Sequence, residues 1–543
     1  MPKQKITRYL FGSLVALTGC LLVLLTIGQT NFVSQVKSQS SASPTRPVAK
    51  ALASTESVSK QPQDIALAQR IDRVIDESDL TQARWGVFVM SMKDGRVLYS
   101  RNGDKLFTPA SNMKIYTTAV ALDSLGADYR WRTSVYTDKQ PDGAGVIDGD
   151  LTLYGRGAPD LVSIGKGTAP SLAQFADQLY QSGVRHVRGN IIGDESYFRG
   201  ELFGLGWQWN DLQWYFGAEP SALSVDENSV ELTIAPANKT GSAASLVVSH
   251  DKGYLHLTNN TMTAERDATT TIGINRDLSN NELRVWGDFP AGGRSFSAFL
   301  SVHNPALWAA TLFKQALIAR GIKVDGQASS RDFRVAEGDR FDPQKAFEIA
   351  HQDSEPLGDI VRKTNKESNN LFAELILRTV GKERGAAAAD PNPRKNRERG
   401  DDEAGAAVVK SWLDRNGIAS DALAIRDGSG LSRLDLVTPE TTAHLLVAIA
   451  KTNAASVFHD SLPIAGRDGT LNSRLVREAG RVFAKTGTLT YDHSLSGYAT
   501  AENNEVLAFS IFCNDATVRS NPVRIIDQIA GALVSSGHPS SAK

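Results

Sequence analysis

What most constrains the fold of this chain is a pattern that changes twice along its length. Apolar residues at helical spacing open the globular part at Ile65, Leu67, Ile71, Val74 and Ile75, a repeat that lays one face of a helix on a core. Strand-like runs at 85–90 and 97–99 follow, joined by Lys93-Asp94-Gly95-Arg96. Asp-Gly between two such runs signals a hairpin. From Trp131 to about Leu300 short β-like runs alternate with turns, at 149–154, 189–194, 229–234 and 283–286, with one helical stretch at 171–183. Helical periodicity returns at 305–321 and 440–450, and a last strand at 506–512 precedes a helix over 522–535. Helix at both ends with a β-rich middle implies one α/β domain interrupted by an insert. The expected division is 64–130 with 301–536 for the α/β domain, 131–300 for the insert, and a charged surface loop over 381–405.

The first residues read as an export signal. Lys3, Lys5 and Arg8 precede an uncharged run over residues 9–28. That run is long enough to span a bilayer, and the positive charges before it favour sending the rest across. A cleaved signal peptide within 1–29, a retained membrane anchor, and a lipoprotein modified at Cys20 in Leu17-Thr18-Gly19-Cys20 all stay open. Each leads to an extracytoplasmic, periplasmic location. Residues 30–63, rich in Ser, Ala, Lys and Gln, read as a flexible tether.

Composition removes several function classes. The 59 basic and 60 acidic residues leave a net charge of -1, without the basic footprint of a nucleic-acid-binding protein. Two cysteines, Cys20 and Cys513, make neither a disulfide framework nor a cysteine-rich zinc site. No His-Glu-x-x-His and no Gly-x-Ser-x-Gly occurs. No metal or cofactor is therefore expected. The nine histidines are scattered and none adjoins a candidate serine.

What remains is a serine–lysine pair. Ser111 and Lys114 follow Pro109 at the head of an apolar-periodic run with Ile115, Ala119 and Leu122. Residues three apart share a helical face. A serine hydroxyl becomes a nucleophile only when a base takes its proton, and a buried lysine that has lost its own proton is such a base. Five other Ser-x-x-Lys matches occur, in the tether, in the insert and at the extreme C-terminus, and none opens such a helix. Two further elements follow in order: Ser368-Asn369-Asn370 and Lys485-Thr486-Gly487-Thr488, the latter on a strand-like run. Ser368 is a candidate proton relay between Lys114 and the leaving amine. Asn370 is suited to hold a substrate amide and the lysine cluster. Lys485, Thr486 and Thr488 suit a terminal carboxylate, and Gly487 allows close approach of the substrate to the strand. The backbone amides of Ser111 and Thr488 are candidate oxyanion donors.

In this order the three elements resemble the penicillin-binding proteins, specifically the penicillin-binding protein 4-like D-Ala-D-Ala carboxypeptidases and endopeptidases of the serine peptidase S13 type. Further stretches are similar to that family: 151–155, 189–194, 206–211, 427–432 and 495–498. Ser111 and Ser368 stand 257 residues apart. An insert of that size is typical of the family and far too large for a compact class A β-lactamase. The resemblance implies a transpeptidase/β-lactamase-like α/β (α+β) domain with a large inserted β-rich region. It implies release of terminal D-Ala from peptidoglycan stem peptides through an acyl-Ser111 intermediate, cleavage of cross-links in some members, and covalent inhibition by β-lactams. The rival readings are a β-lactamase and a non-catalytic peptidoglycan-binding scaffold. One departure is Asn369, where Asp is commoner. It is expected to point away from Ser368 and Asn370 and to do little harm.

Overall fold

The computed structural model describes residues 57–165, 169–249, 253–335, 339–388, 400–517 and 521–536. The signal or anchor reading, Cys20 and most of the tether lie outside the described residues. No helix among the described residues is long and apolar enough to cross a membrane. The tether ends earlier than expected. The Ser59 amide donates to the Val97 carbonyl (2.8 Å), the Ser59 hydroxyl donates to Asp64, and the first helix, Pro62–Asp76, starts there.

Both ends of the chain build one antiparallel sheet. Its order is Val482–Leu489, Asp492–Thr500, Val506–Asn514, Arg84–Ser91, Val97–Arg101. The strand nearest the N-terminus thus pairs with the one nearest the C-terminus, Arg84 opposite Asn514 and Ser91 opposite Leu507. Side chains alternate across a strand, so Val87 and Val89 face one layer while Phe88 and Met90 face the other. The first pair packs with Ile511 and Phe509 beneath the terminal helices Pro62–Asp76 and Pro522–Val534. The second packs with Phe512 and Ala508 against Met113–Leu125, Asn370–Ala388, Asp401–Arg415 and Pro439–Ile449. The outcome is a sheet between two helical layers, the α/β class expected.

The insert leaves and returns through one neck. The Ser354 amide donates to the Trp131 carbonyl and the Trp131 amide to the Ser354 hydroxyl, and the Leu357 and Gly358 amides donate to the carbonyls of Tyr129 and Ala127. The expected boundary at 300 is therefore too early. The helix Pro305–Arg320 buries Trp308, Phe313 and Leu317 in the core of the insert. The strands Ala328–Arg331 and Phe347–Asp353 are the two edges of its five-stranded sheet, beside Ile191–Asp194 and Arg132–Thr137 respectively. Helical periodicity at 305–321 was assigned to the outer domain because the sequence pattern does not say which core a helix serves.

The charged loop over 381–405 is also corrected. Helix Asn370–Ala388 runs through its first residues, and helix Asp401–Arg415 begins within its last. These two helices pack at glycine contacts: a Cβ on Gly381 would stand 1.8 Å from the Asp401 carbonyl oxygen, and one on Gly405 2.3 Å from that of Leu377. The two glycines permit this close helix packing. Residues 389–399 lie outside the described residues.

Candidate active site

Ser111 lies on a single tight turn, Ala110–Asn112, that runs directly into the helix Met113–Leu125. Ala110, just before it, is held at φ +49°, a conformation that costs a non-glycine residue of order 1–3 kcal/mol and persists only where the surroundings fix it. They do so here. Gly430 backs onto Ala110 so closely that a Cβ on it would stand 1.8 Å from the Ala110 carbonyl oxygen. On the opposite side a Cβ on Gly487 would stand 2.1 Å from Ser494 Oγ, 2.7 Å from the Pro109 carbonyl oxygen and 3.0 Å from the Ser111 nitrogen. Gly487 is thus required by the nucleophile turn itself, and not only by a substrate. Asn112, fully buried, ties the same turn to the strand. With its Nδ2 turned to the Lys485 carbonyl (2.7 Å) and its oxygen to the Ser496 amide (3.3 Å), both ends are satisfied, whereas the opposite orientation sets oxygen against oxygen.

Lys114 is one helical step from Ser111 and wholly buried. Its Nζ lies 3.0 Å from Ser111 Oγ, 2.6 Å from Asn370 Oδ1 and 2.7 Å from the Ser429 carbonyl oxygen. The last two can only accept. A neutral amine has two N–H groups and one lone pair. With both N–H groups held by Asn370 and Ser429, the lone pair is left for the hydroxyl of Ser111. Burial pulls Lys114 down to about 7, against the opposing pull of the Asp427 and Glu374 charges.

The second and third elements meet on the other side. Lys485, also wholly buried, donates to Ser368 Oγ (2.9 Å) and to the Thr486 carbonyl (2.9 Å). Burial and the nearby charge of Lys114 hold it well below the usual lysine range. Ser368 is therefore held by Lys485. Ser368 takes a left-handed backbone, φ +61°, between helices Leu357–Glu367 and Asn370–Ala388. That break turns Ser368 and Asn370 into the cleft together. Asn370 Nδ2 donates one of its two N–H groups to the Phe216 carbonyl of the insert (2.8 Å).

The Val482–Leu489 strand is the sheet edge. The Ala484 amide points off that edge, to the Pro463 carbonyl. Alternation along an antiparallel edge strand aims the Thr488 amide the same way. Thr488 is exposed, whereas the Thr486 hydroxyl is 2.7 Å from that of Thr470. Asn369 points away from the cleft as expected. Its Nδ2 donates to Glu227 Oε2 of the insert (2.7 Å), and its Oδ1 accepts from the Phe372 amide (3.0 Å).

These contacts match the order and spacing of the three elements. The family model for the D-Ala-D-Ala carboxypeptidase 3 (S13) family matches residues 67–534. The chain belongs to that family. S13 relatives include a D-alanyl-D-alanine carboxypeptidase of Actinomadura sp. (strain R39), 34% identical over 486 residues that cover 87% of this chain and 85% of that one. The carboxypeptidase DacB of Haemophilus influenzae is 27% identical, over 81% and 88% of the two chains. Among solved structures, penicillin binding protein 4 of Haemophilus influenzae superposes with a TM-score of 0.72 at 26% identity, covering 85% of this chain and 97% of that one. The S13 fold reading made from the motifs holds over nearly the whole globular part.

Several residues of this S13 site carried no role in the sequence reading. Glu374, Asp427 and Asp435 are buried carboxyl groups behind Lys114. Trp207 of the insert donates to Asp427 (2.8 Å), and the Ser432 hydroxyl donates to the Leu205 carbonyl (2.7 Å). Glu374 stands four residues after Asn370, on the same helical face, and that spacing was the available signal. Phe216 and Leu205 contribute through main-chain carbonyls, which leave no trace in side-chain identity.

Proposed function

We propose that this chain is a serine-type D-Ala-D-Ala carboxypeptidase that acts on peptidoglycan stem peptides, with Ser111 as nucleophile and Lys114 as its base. The observation that carries the reading is the three-way seating of Lys114 Nζ on Ser111, Asn370 and Ser429. Neutral Lys114 takes the hydroxyl proton as Ser111 Oγ attacks the carbonyl carbon of the penultimate D-Ala. The oxyanion forms between the amides of Ser111 and Thr488, a pair whose members are each worth about 3–4 kcal/mol where such donors have been removed. The substrate's terminal carboxylate lies along the strand edge, against Lys485 and the hydroxyls of Thr486 and Thr488. Collapse breaks the C–N bond. Ser368, held by Lys485, gives its proton to the departing amine and takes back the one on Lys114, so D-Ala leaves and Lys114 is neutral again. Water activated by Lys114 then cleaves the acyl-Ser111 ester. Acylation of the same serine by β-lactams follows from the same geometry, since their ring amide presents a strained carbonyl to one nucleophile. The place of action is outside the cytoplasm, with residues 9–28 as the segment that directs or holds the chain there. Cleavage of cross-links needs only a longer leaving amine, so endopeptidase activity belongs to the same reading.

The test is a fluorescent penicillin combined with product analysis of digested peptidoglycan. Stable label on the wild type, lost in Ser111→Ala, with free D-Ala released, is the expected result. Rapid turnover of the label points to a β-lactamase, and no label at all to a non-catalytic wall-binding scaffold.

A further inference from the structure

Behind Lys114, on the side away from Ser111, lies a buried loop, Asp427 to Ser432, held almost entirely by side-chain carboxylates. Glu374 Oε1 accepts from the amides of both Gly428 (3.0 Å) and Ser429 (2.8 Å). Asp427 accepts from the amides of Gly430 (2.7 Å) and Ser432 (2.8 Å) and from the Ser429 hydroxyl (3.1 Å). Asp435 accepts from the Arg426 amide (2.6 Å). On the other side, Thr117 donates to the Gly428 carbonyl (2.7 Å) and Lys114 to that of Ser429 (2.7 Å). The peptide plane between Gly428 and Ser429 is thus gripped at its nitrogen by Glu374 and at its carbonyl by the helix that carries the nucleophile. The next carbonyl along, that of Ser429, is one of the two acceptors that orient the Lys114 amine.

We infer that Glu374 is a positioning residue for the acylation step: by clamping the Gly428 and Ser429 amides it fixes the Ser429 carbonyl, and through it the direction of the Lys114 lone pair. This rests on Lys114 being the base. Glu374 is 1% exposed and its second oxygen, Oε2, has no hydrogen-bond partner. A group kept only to satisfy local polar atoms would not leave a buried oxygen unpaired. Here one oxygen takes two amides, and the carboxyl stands four residues from Asn370 on the same helix, so a single helical face supplies one Lys114 acceptor directly and the other at one remove. Burial and the Asp427 charge push Glu374 up to about 8, with Arg378 opposing. Lys114, near 7, titrates in the same range, and the charges around the pair are Asp427, Asp435, Arg378 and Lys485. The base and the clamp are therefore coupled by charge as well as by the peptide.

Pre-steady-state acylation by a chromogenic β-lactam separates the possibilities. The full chain is used, and the rate is referred to the fraction of sites that become labelled, so misfolded protein does not count. Glu374→Ala should lower the plateau rate more than tenfold. Glu374→Gln keeps the accepting oxygen and should stay within threefold of wild type. Its acid limb should stay near pH 7, because Glu374, pushed up to about 8, already carries its proton there. A wild-type plateau in Glu374→Ala overturns the inference. So does a loss of more than tenfold in Glu374→Gln, which keeps the accepting oxygen and is also the variant to rely on if alanine does not fold. Absence of label on Ser111 in the wild type would instead sink the enzymatic reading.

Discussion

The two walls of the cleft each bury a lysine, in opposite electrical surroundings. On the helix wall, Lys114 has three hydrogen-bond partners and two carboxyl groups that offset its burial. On the strand wall, Lys485 has a hydroxyl and a carbonyl, and the charge that acts on it among the described residues is the like charge of Lys114. An amine of the first kind is set to lose and regain a proton near neutrality, as a base must. An amine of the second kind is set to gain one when an anion arrives. The difference teaches a division of labour: one wall is finished before the substrate enters, and the other is completed by the substrate's own carboxylate.

The largest expected effect is on the finished wall. Lys114→Ala should slow acylation by about 10³-fold, within the range that positioned bases supply, and stopped-flow labelling measures it. In the wild type the acylation rate should climb with pH through about 7, because the active form is the deprotonated amine. A flat profile from pH 6 to 8 would break the contrast between the walls. Lys485→Ala comes next, with a loss on the order of 10²-fold that falls mainly on KM. The sharper measurement is calorimetric. Since free Lys485 is held well below its usual range, binding of a carboxylate-bearing peptide to Ser111→Ala protein near pH 8 should take up protons. Binding enthalpies would then vary with the ionisation heat of the buffer. The same peptide as its C-terminal amide should show less uptake, and equal uptake by both would remove the proposed role of the strand wall.

Between the walls runs the contact at Gly487. An added Cβ meets Ser494 Oγ at 2.1 Å and the Pro109 carbonyl at 2.7 Å, and neither is the free end of a flexible chain. Gly487→Ala should therefore push the strand off the Ser111 turn, at a cost of about 1–3 kcal/mol, with slower acylation. The paired measurement is the melting temperature with and without a covalently bound β-lactam.

The same contrast governs what the sequence made legible. The side chains of the cleft could be read because each element carries its chemistry in residue identity and in order: Ser111 with Lys114, Ser368 with Asn370, Lys485 to Thr488. The sheet could be read at both ends because the short apolar runs at 85–90 and 506–512 are a local signal. What could not be read was main-chain work. The Ser429 and Phe216 carbonyls, and the amides that Glu374 clamps, are common to all residues and acquire a role only through tertiary placement. The partner of Ser368 is illegible for a related reason: motif order brings Lys114 and Lys485 near it without saying which one the hydroxyl faces. The helix Pro305–Arg320 and the glycine contacts at Gly381 and Gly405 failed at the level of packing. Period and composition say that an element buries a face, without saying against what.

The smallest effect belongs to the residue turned away from both walls. Asn369→Asp restores the family's commoner residue, and its carboxylate would still accept from the Phe372 amide at the head of the helix, where Asp caps well. It would lose the donor to Glu227 and set two carboxylates side by side. Lys363, 2.6 Å from Glu227 Oε1, offsets part of that repulsion, and Glu227 is 37% exposed, so solvent screens much of the rest. The expected cost is under about 1 kcal/mol, a melting shift of about 1–2 °C. Acylation should stay within threefold of wild type, because the Asn369 side chain bonds to Glu227 and the Phe372 amide and makes no hydrogen bond to Ser111, Lys114, Ser368 or Lys485. A tenfold slower enzyme would mean that the anchor between Asn369 and the insert helps set the Ser368 turn, and that the insert acts on the strand wall as well as the helix wall.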